Sequence, residues 1–345
     1  MRRRHSVITL AVLTLVVSCS VAGCGQQGGG QKIDYPNKPI TIIVPTAAGG
    51  GYDLGARAVA RFLPKHLPKQ VDVVVQNMPG AGQMIGVHAV YAAKPDGYTL
   101  GAFNAIGAVM SQYGRPEPVQ FDVSKFLYLG MWQDDVRALG VSKNVQAKTW
   151  DELIALSKKK PLRCGTGGAG SSQHIDPFII DAASEVDFEY IHYEGSAGVN
   201  PAMGRGEIDT TVAQVGTIME LVEAGLGRNF CVFDTKRHPG SPDTPTAIEA
   251  GMPRAQFDKL TNSPFFGVNR VLAAPPGIDP AIVAILRKAM WETFQDPEYQ
   301  AEVKKAKGEN NPMKGEDYQK VMEAKVKAAI EDKQLTESLK AMFRK

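Results

Sequence analysis

Little cysteine, little histidine and almost no excess charge mark this chain, and each shortage excludes a kind of chemistry. Four cysteines in 345 residues are too few for a disulfide scaffold, and none has His or Cys neighbours at zinc-ligand spacing. Cys19 and Cys24 fall in an N-terminal leader. Cys164 and Cys231 sit at strand-like runs, where they pair if those strands are adjacent and otherwise remain two buried thiols. The six histidines are scattered: His5 in the leader, His66 and His88 on helical patterns, His238 in a Pro/Gly loop, and only His174 and His192 near glycine loops. A lone histidine of this kind is more often a hydrogen-bonded structural residue than a base. Asp134-Asp135 and Glu207 with Asp209 form no recognisable cage and read as solvated surface, so no metal is expected. There is no G-x-x-x-x-G-K-[ST] phosphate loop and no repeat of solenoid period.

Long apolar runs are also missing, apart from the leader. Arg2, Arg3 and Arg4 precede Val7 to Val17, and Val21-Ala22-Gly23-Cys24 follows, which is the n-region, short h-region and small-residue site of a secretory signal peptide over residues 1–23. Cys24 sits as the lipidated cysteine of a bacterial lipobox does, with Cys19 as a second candidate. Residues 24–34, with Gly25 to Gln31, form a flexible tether. The protein is therefore expected to be exported, in the periplasm or on the outer face of the cell membrane, and lipid-anchored. The 39 Lys and Arg against 36 Asp and Glu come into balance once the three leader arginines are removed. Nucleic acid is excluded as a partner for want of a basic face.

What remains is a strand–helix alternation of the α/β kind, long enough for two domains. Ile40 to Val44 meets Pro45 and the loop Thr46-Ala47-Ala48-Gly49-Gly50-Gly51, and a helix starts at Asp53. Val71 to Val75, the loop Gln76 to Gly82, a helix to about Ala93 and Thr99 to Phe103 continue the βαβαβ rhythm. It restarts at Ala138 to Ser142, with a helix from Trp150 to about Lys159, then Leu162 to Gly165, a glycine loop, a helix through Ile180, and Phe188 to His192. Thr210 to Gln214, Phe230 to Phe233 and Phe266 to Ala273 are further strands, and charged helices follow Pro280 and Gly315.

A glycine loop between a strand and a helix N-terminus collects unpaired N–H groups and suits an anion. Gly165-Thr166-Gly167-Gly168-Ala169-Gly170 also fits a dinucleotide fingerprint, with Glu194 at the position of a ribose-binding acid. Its mid-chain position, its continuation into Ser171-Ser172 and the exported setting count against a nucleotide. Gly195-Ser196-Ala197-Gly198 lacks the residue between glycine and serine that a nucleophile elbow requires. Asp53, four residues before Arg57, reads first as a helix-start acid that orders its loop. Asn104, Thr166, Ser171 and Ser172 are neutral donors able to hold a carboxylate without a buried arginine.

These residues resemble one family. Tyr35-Pro36-Asn37-Lys38-Pro39-Ile40, Gly49-Gly50-Gly51-Tyr52-Asp53, Ala56-Arg57, Val75-Gln76-Asn77-Met78-Pro79-Gly80-Ala81-Gly82 and Pro95-Asp96-Gly97-Tyr98-Thr99-Leu100 are similar to motifs of the extracytoplasmic solute receptors of tripartite tricarboxylate transporters, the TctC or Bug type. Gly165-Thr166-Gly167 with His174, Tyr193-Glu194-Gly195, Pro242-Asp243-Thr244-Pro245-Thr246 with Glu249-Ala250-Gly251, and Ala274-Pro275-Pro276-Gly277 extend the likeness along almost the whole mature chain.

The resemblance implies an α/β, type II periplasmic-binding-protein fold of two lobes, each a mainly parallel sheet flanked by helices. Residues 35–137 and 263–345 would form lobe 1, and 138–262 lobe 2. It implies a monomeric receptor without cofactor or catalysis, which closes on a small organic mono-, di- or tricarboxylate and delivers it to the permease subunits of such a transporter. Thr46, Ala48, Gly49, Gly50, Asp53 and Asn104 would face the cleft from one lobe. Thr166, Gly167, Ser171, Ser172, His174, Tyr193, Gly195 and Gln214 would face it from the other. Thr46 stands where an aromatic is common in the family, which alters pocket size; Gln76 and Gln83 also depart from the pattern and read as neutral. The rival is an exported enzyme acting on a carboxylated substrate with His174 or His192 as base.

Overall fold

The apolar run Ile40–Val44 forms strand β1, and burial of all but Thr41 places it inside a sheet rather than at its edge. Strands β2 (Val73–Asn77) and β3 (Thr99–Asn104) pair with it in parallel on either side, with Ile42 opposite both Val75 and Leu100. Helices Gly51–Phe62 and Met84–Tyr91 make the crossovers. The computed structural model describes residues 33–49, 51–193, 198–305 and 311–343. The expected signal peptide, Cys24 and nearly all of the expected tether, with Gly50, Glu194 and Gly195, lie outside the described residues.

The remaining strands are β4 (Leu127–Asp135), β5 (Arg137–Ser142), β6 (Leu162–Thr166), β7 (Phe188–His192), β8 (Thr210–Gln214), β9 (Gly227–Val232), β10 (Val268–Ala274) and β11 (Met313–Lys314). Their order is β11-β4-β10-β3-β1-β2 in one sheet and β7-β6-β8-β5-β9 in the other. The two helix-flanked α/β sheets are those of a two-lobed binding protein. Both are mixed: β10 runs antiparallel between β3 and β4, and β5 antiparallel between β8 and β9. Parallel pairing is confined to β2-β1-β3 and β7-β6-β8, the segments with an alternating strand–helix pattern.

The chain leaves the first sheet at Asp135 and enters the second at Arg137, with only Val136 between, and returns before Val268. Two buried ion pairs sit at these crossings. Asp135 Oδ2 accepts from Arg270 Nε and Nη2 at 3.2 and 3.0 Å, and from Gln214 Nε2 at the end of β8. Arg137 Nε lies 2.6 Å from Asp176 Oδ2, close enough to pair though not aligned as a hydrogen bond. Asp176 Oδ1 takes the Gly267 N–H at 3.0 Å. Asp135 is thus no part of a solvated surface. Of the other acids read that way, Asp209 is held by Arg163 and Glu207 by Arg205.

Cys164 and Cys231 are free and buried. They lie on β6 and β9, which β8 and β5 separate; three strand spacings, about 14 Å, are too far for a disulfide. The opening motif and the Pro95 to Leu100 motif meet each other. Tyr35 Oη donates to Gly97 O at 2.6 Å, Tyr98 Oη to Asn37 Oδ1 at 2.9 Å, and Lys38 Nζ lies 3.2 Å from Asp96 Oδ2.

Removing one partner of a buried pair strands a charge. Arg270→Leu is expected to lower the unfolding free energy by about 3–5 kcal/mol, and Asp135→Asn added to it should recover much of the loss. Urea denaturation measures both, and a single-variant loss under about 1 kcal/mol would mean that the pair does not hold the crossing.

Candidate functional site

Both glycine loops are pinned in the same way. On the first, Asp53 Oδ2 accepts the Gly49 N–H at 2.8 Å, while Arg57 Nε donates to the same oxygen at 3.0 Å and Asn77 Nδ2 to Oδ1 at 2.9 Å. On the second, His174 Nδ1 accepts the Gly170 N–H at 3.1 Å. Each acceptor stands four residues after the amide it holds, in the first turn of the following helix. The Arg57 hydrogen bond, helped by the Gly49 and Asn77 donors, lowers the Asp53 pKa to about 2 against the desolvation of its burial. Burial, with His192 beside it, lowers that of His174 to about 4. A neutral imidazole is what an acceptor nitrogen requires.

A cavity of about 360 Å³ opens between the strand-end loops of the two sheets. From the first sheet's side come Tyr52, the turn residues Gly82 and Gln83, Asn104 at the end of β3, and Ile106, Gly107, Met110, Ser111 and Arg115 beyond it. Ala169 to Ser172, Ile175 and Asp176 face them from the loop and helix after β6, and Phe265 and Gly267 from the return crossing. The Asn104 side-chain oxygen is buried there without a partner. Ser171, at the start of helix Ser172–Ala183, does not cap it; its hydroxyl donates to Gly168 O at 2.8 Å.

Of the residues anticipated from sequence, Asn104, Ser171 and Ser172 line this cavity. Thr46, Ala48 and Gly49 belong to the first loop and Asp53 to the helix after it, none of the four in the lining, with Ala48 and Gly49 exposed and Asp53 buried. Thr166 is buried, its hydroxyl 2.6 Å from His192 Nδ1, with Gly167 next in the loop. His174 lies under the second loop, its ring 4.5 Å from that of His192. Tyr193 Oη donates to Glu207, and Gln214 reaches Asp135 rather than the cavity.

Sequence reasoning missed Gln83 and Arg115. Gln83, read as neutral, has φ +80 and follows Ala81 at φ +46 and Gly82 at φ +62. Three successive left-handed residues turn its side chain into the wall, at the expense of backbone strain typical of ligand sites. Arg115 follows the π-helical turn Met110–Gly114. Its only sequence signal is isolation, as the one basic residue between Lys94 and Lys125.

Two α/β sheets joined by two crossings, with a cavity at their strand ends, are the architecture of a solute-binding protein. Residues 56–335 match the TctC family, described as the tripartite tricarboxylate transporter family receptor, and the chain belongs to it. It is 28% identical over 264 residues to protein BugT of Bordetella pertussis, covering 76% of this chain and 78% of that one. A TctC solute binding protein from Polaromonas shares the fold at a TM-score of 0.72 and 25% identity, over 90% of this chain and 99% of that one. MatC from Rhodopseudomonas palustris with bound malate is alike in fold at 0.65 and 22% identity, covering 89% and 99%. The chain is thus a member of a periplasmic receptor family and not an enzyme, and the reading of His174 or His192 as a catalytic base is set aside.

The low pKa of His174 sets a pH window. Its folded value of about 4 lies below the ordinary 6.5, so the unfolded chain takes up the proton first as pH falls. That contribution is present above about pH 6.5 and lost towards pH 4, on the order of 3 kcal/mol. Asp53 follows between 3.8 and about 2. His174→Gln should flatten the first fall, as read by denaturant unfolding at a series of pH values; an unchanged slope would place the proton elsewhere.

Proposed function

We propose that this protein is a lipid-anchored extracytoplasmic receptor that captures a small organic carboxylate in the cavity and delivers it to the permease subunits of a tripartite tricarboxylate-type transporter. The observation that carries the reading is the cavity itself, built jointly by the strand-end loops of both sheets in a chain of this receptor family. On this reading residues 35–137 with 263–345 form one lobe and 138–262 the other. The crossings at Val136 and before Val268 act as the hinge, and closure buries the solute. Asn104, Ser171 and Ser172 touch it, while Asp53, His174, Thr166 and Gln214 hold the walls. Closed lobes are the form that the permease recognises.

Among the described residues no helix is long and apolar enough to cross a membrane, and the anchor is assigned to Cys24. Cys24→Ala should move the exported protein from the membrane to the soluble fraction. Continued membrane retention would transfer the anchor to Cys19 or remove it.

The solute reading is tested by thermal unfolding of the mature protein against mono-, di- and tricarboxylates, amino acids, aromatic acids and NAD. An acid at 100 times its dissociation constant is expected to stabilise by about 2.7 kcal/mol. Stabilisation by NAD alone would end the reading, and turnover of the stabilising acid would restore the enzyme.

A further inference from the structure

Among the described residues Arg115 and Asp176 are the two charged side chains in the cavity wall. Asp176 is already engaged by Arg137 and the Gly267 N–H. Arg115 is not engaged in this way: among the described residues it has no hydrogen bond or ion pair, and its Nε is buried without a partner. What it does have is a place to stand. The ring of Phe343, at the end of helix Lys333–Phe343, lies 4.9 Å from the guanidinium carbon. A β-carbon on Gly82 would come within 3.2 Å of Arg115 Nη2, and one on Gly170 within 2.9 Å. The cation therefore lies between a glycine turn beside one sheet and the glycine loop of the other, close against both backbones. Burial lowers its pKa, against the pull of Glu117, but a guanidinium stays charged.

We infer that Arg115 pairs directly with a carboxylate of the bound solute and, backed by Phe343, makes a negative charge a condition of binding. This rests on the reading of the cavity as the solute site. Phe343 covers the guanidinium near its ring and leaves N–H groups for a planar acceptor, the arrangement in which arginine grips a carboxylate with two parallel bonds. Closure over a neutral solute leaves the cation buried and unpaired, which is strongly unfavourable. Closure over an acid neutralises it and ties the two glycine segments together through one bridging group. Lysine, a point charge without the planar fork, replaces it only in part.

The experiment is calorimetric titration of the mature protein with succinate, adipate, citrate and benzoate, each beside its uncharged amide. Wild type is expected to bind at least one acid and to bind the matching amide about 100-fold more weakly or not at all. Arg115→Gln should weaken that acid by about 10- to 150-fold and bring acid and amide within a few-fold of each other. Arg115→Lys should keep part of the discrimination, and Phe343→Ala should weaken the acid more than the amide. An Arg115→Gln variant that folds and keeps both acid affinity and discrimination overturns the inference and leaves the receptor reading standing. If that variant does not fold, the other two decide, and equal losses for acid and amide overturn the inference. Should no acid bind wild type, the receptor reading falls, and the inference with it.

Discussion

One carboxylate holds the crossing. Asp135, the last residue of β4, accepts from Arg270 on β10, from Gln133 on its own strand and from Gln214 at the end of β8 in the other sheet. Arg137, two residues on, faces Asp176 on the helix that follows the second glycine loop. Buried pairs of this kind add little net stability, because desolvation offsets most of the attraction. Their effect is on which arrangement survives, since any arrangement that parts the partners leaves a bare charge inside. The same cluster reaches the site: the Arg270 guanidinium lies over the Tyr52 ring at 4.9 Å, and a β-carbon on Gly51 would meet its Nη1. The start of the first helix is thereby set by the group that fixes the crossing.

The two glycine loops answer to one local constraint. A helix start leaves amides unpaired, and a glycine run adds conformational freedom that would blur their direction. Asp53 and His174 each remove that freedom by accepting a loop amide four residues back. A carboxylate and a neutral imidazole do this work equally well geometrically but not electrostatically. Asp53 keeps a negative charge, which Arg57 and Asn77 offset. The second loop carries no such charge, and it is the one whose residues line the cavity.

The parallel segments were legible because each has a local signature. β1, β2, β3, β6 and β7 are apolar runs separated by helical periodicity, and Trp150–Lys159 starts at a Thr149 capping box with Glu152. β4 carries no such signature. Its burial depends on β10, more than a hundred residues later, and its last acid has a meaning only once Gln214 and Arg270 arrive from elsewhere. The antiparallel pairing of β10 in the first sheet follows from that return of the chain, which no local pattern encodes. At the site, Asn104, Ser171 and Ser172 were legible as strand-end and loop residues. Gln83 was not, because its place in the wall comes from four consecutive positive φ angles, Gly80 to Gln83, two of them at residues other than glycine.

Most of the family-motif residues bind one another, though Tyr52 and Gly82 among them line the cavity. Tyr35, Asn37, Lys38, Asp96, Gly97 and Tyr98 bind one another. Asn77 ties its motif to the first glycine loop through Thr46 O and Asp53, and Thr246 and Glu249 cap each other across their own turn. These contacts hold the frame of the fold and lie outside the cavity lining. Gln83, Met110, Ser111 and Arg115 lie outside the motifs, and all of them face the cavity. A likeness carried mainly by such frame residues identifies a receptor without naming its solute. With Arg2, Arg3 and Arg4 set aside the chain has no excess charge, so on the proposed reading discrimination between an acid and its neutral analogue is left to groups within a few ångströms of the solute rather than to a long-range field.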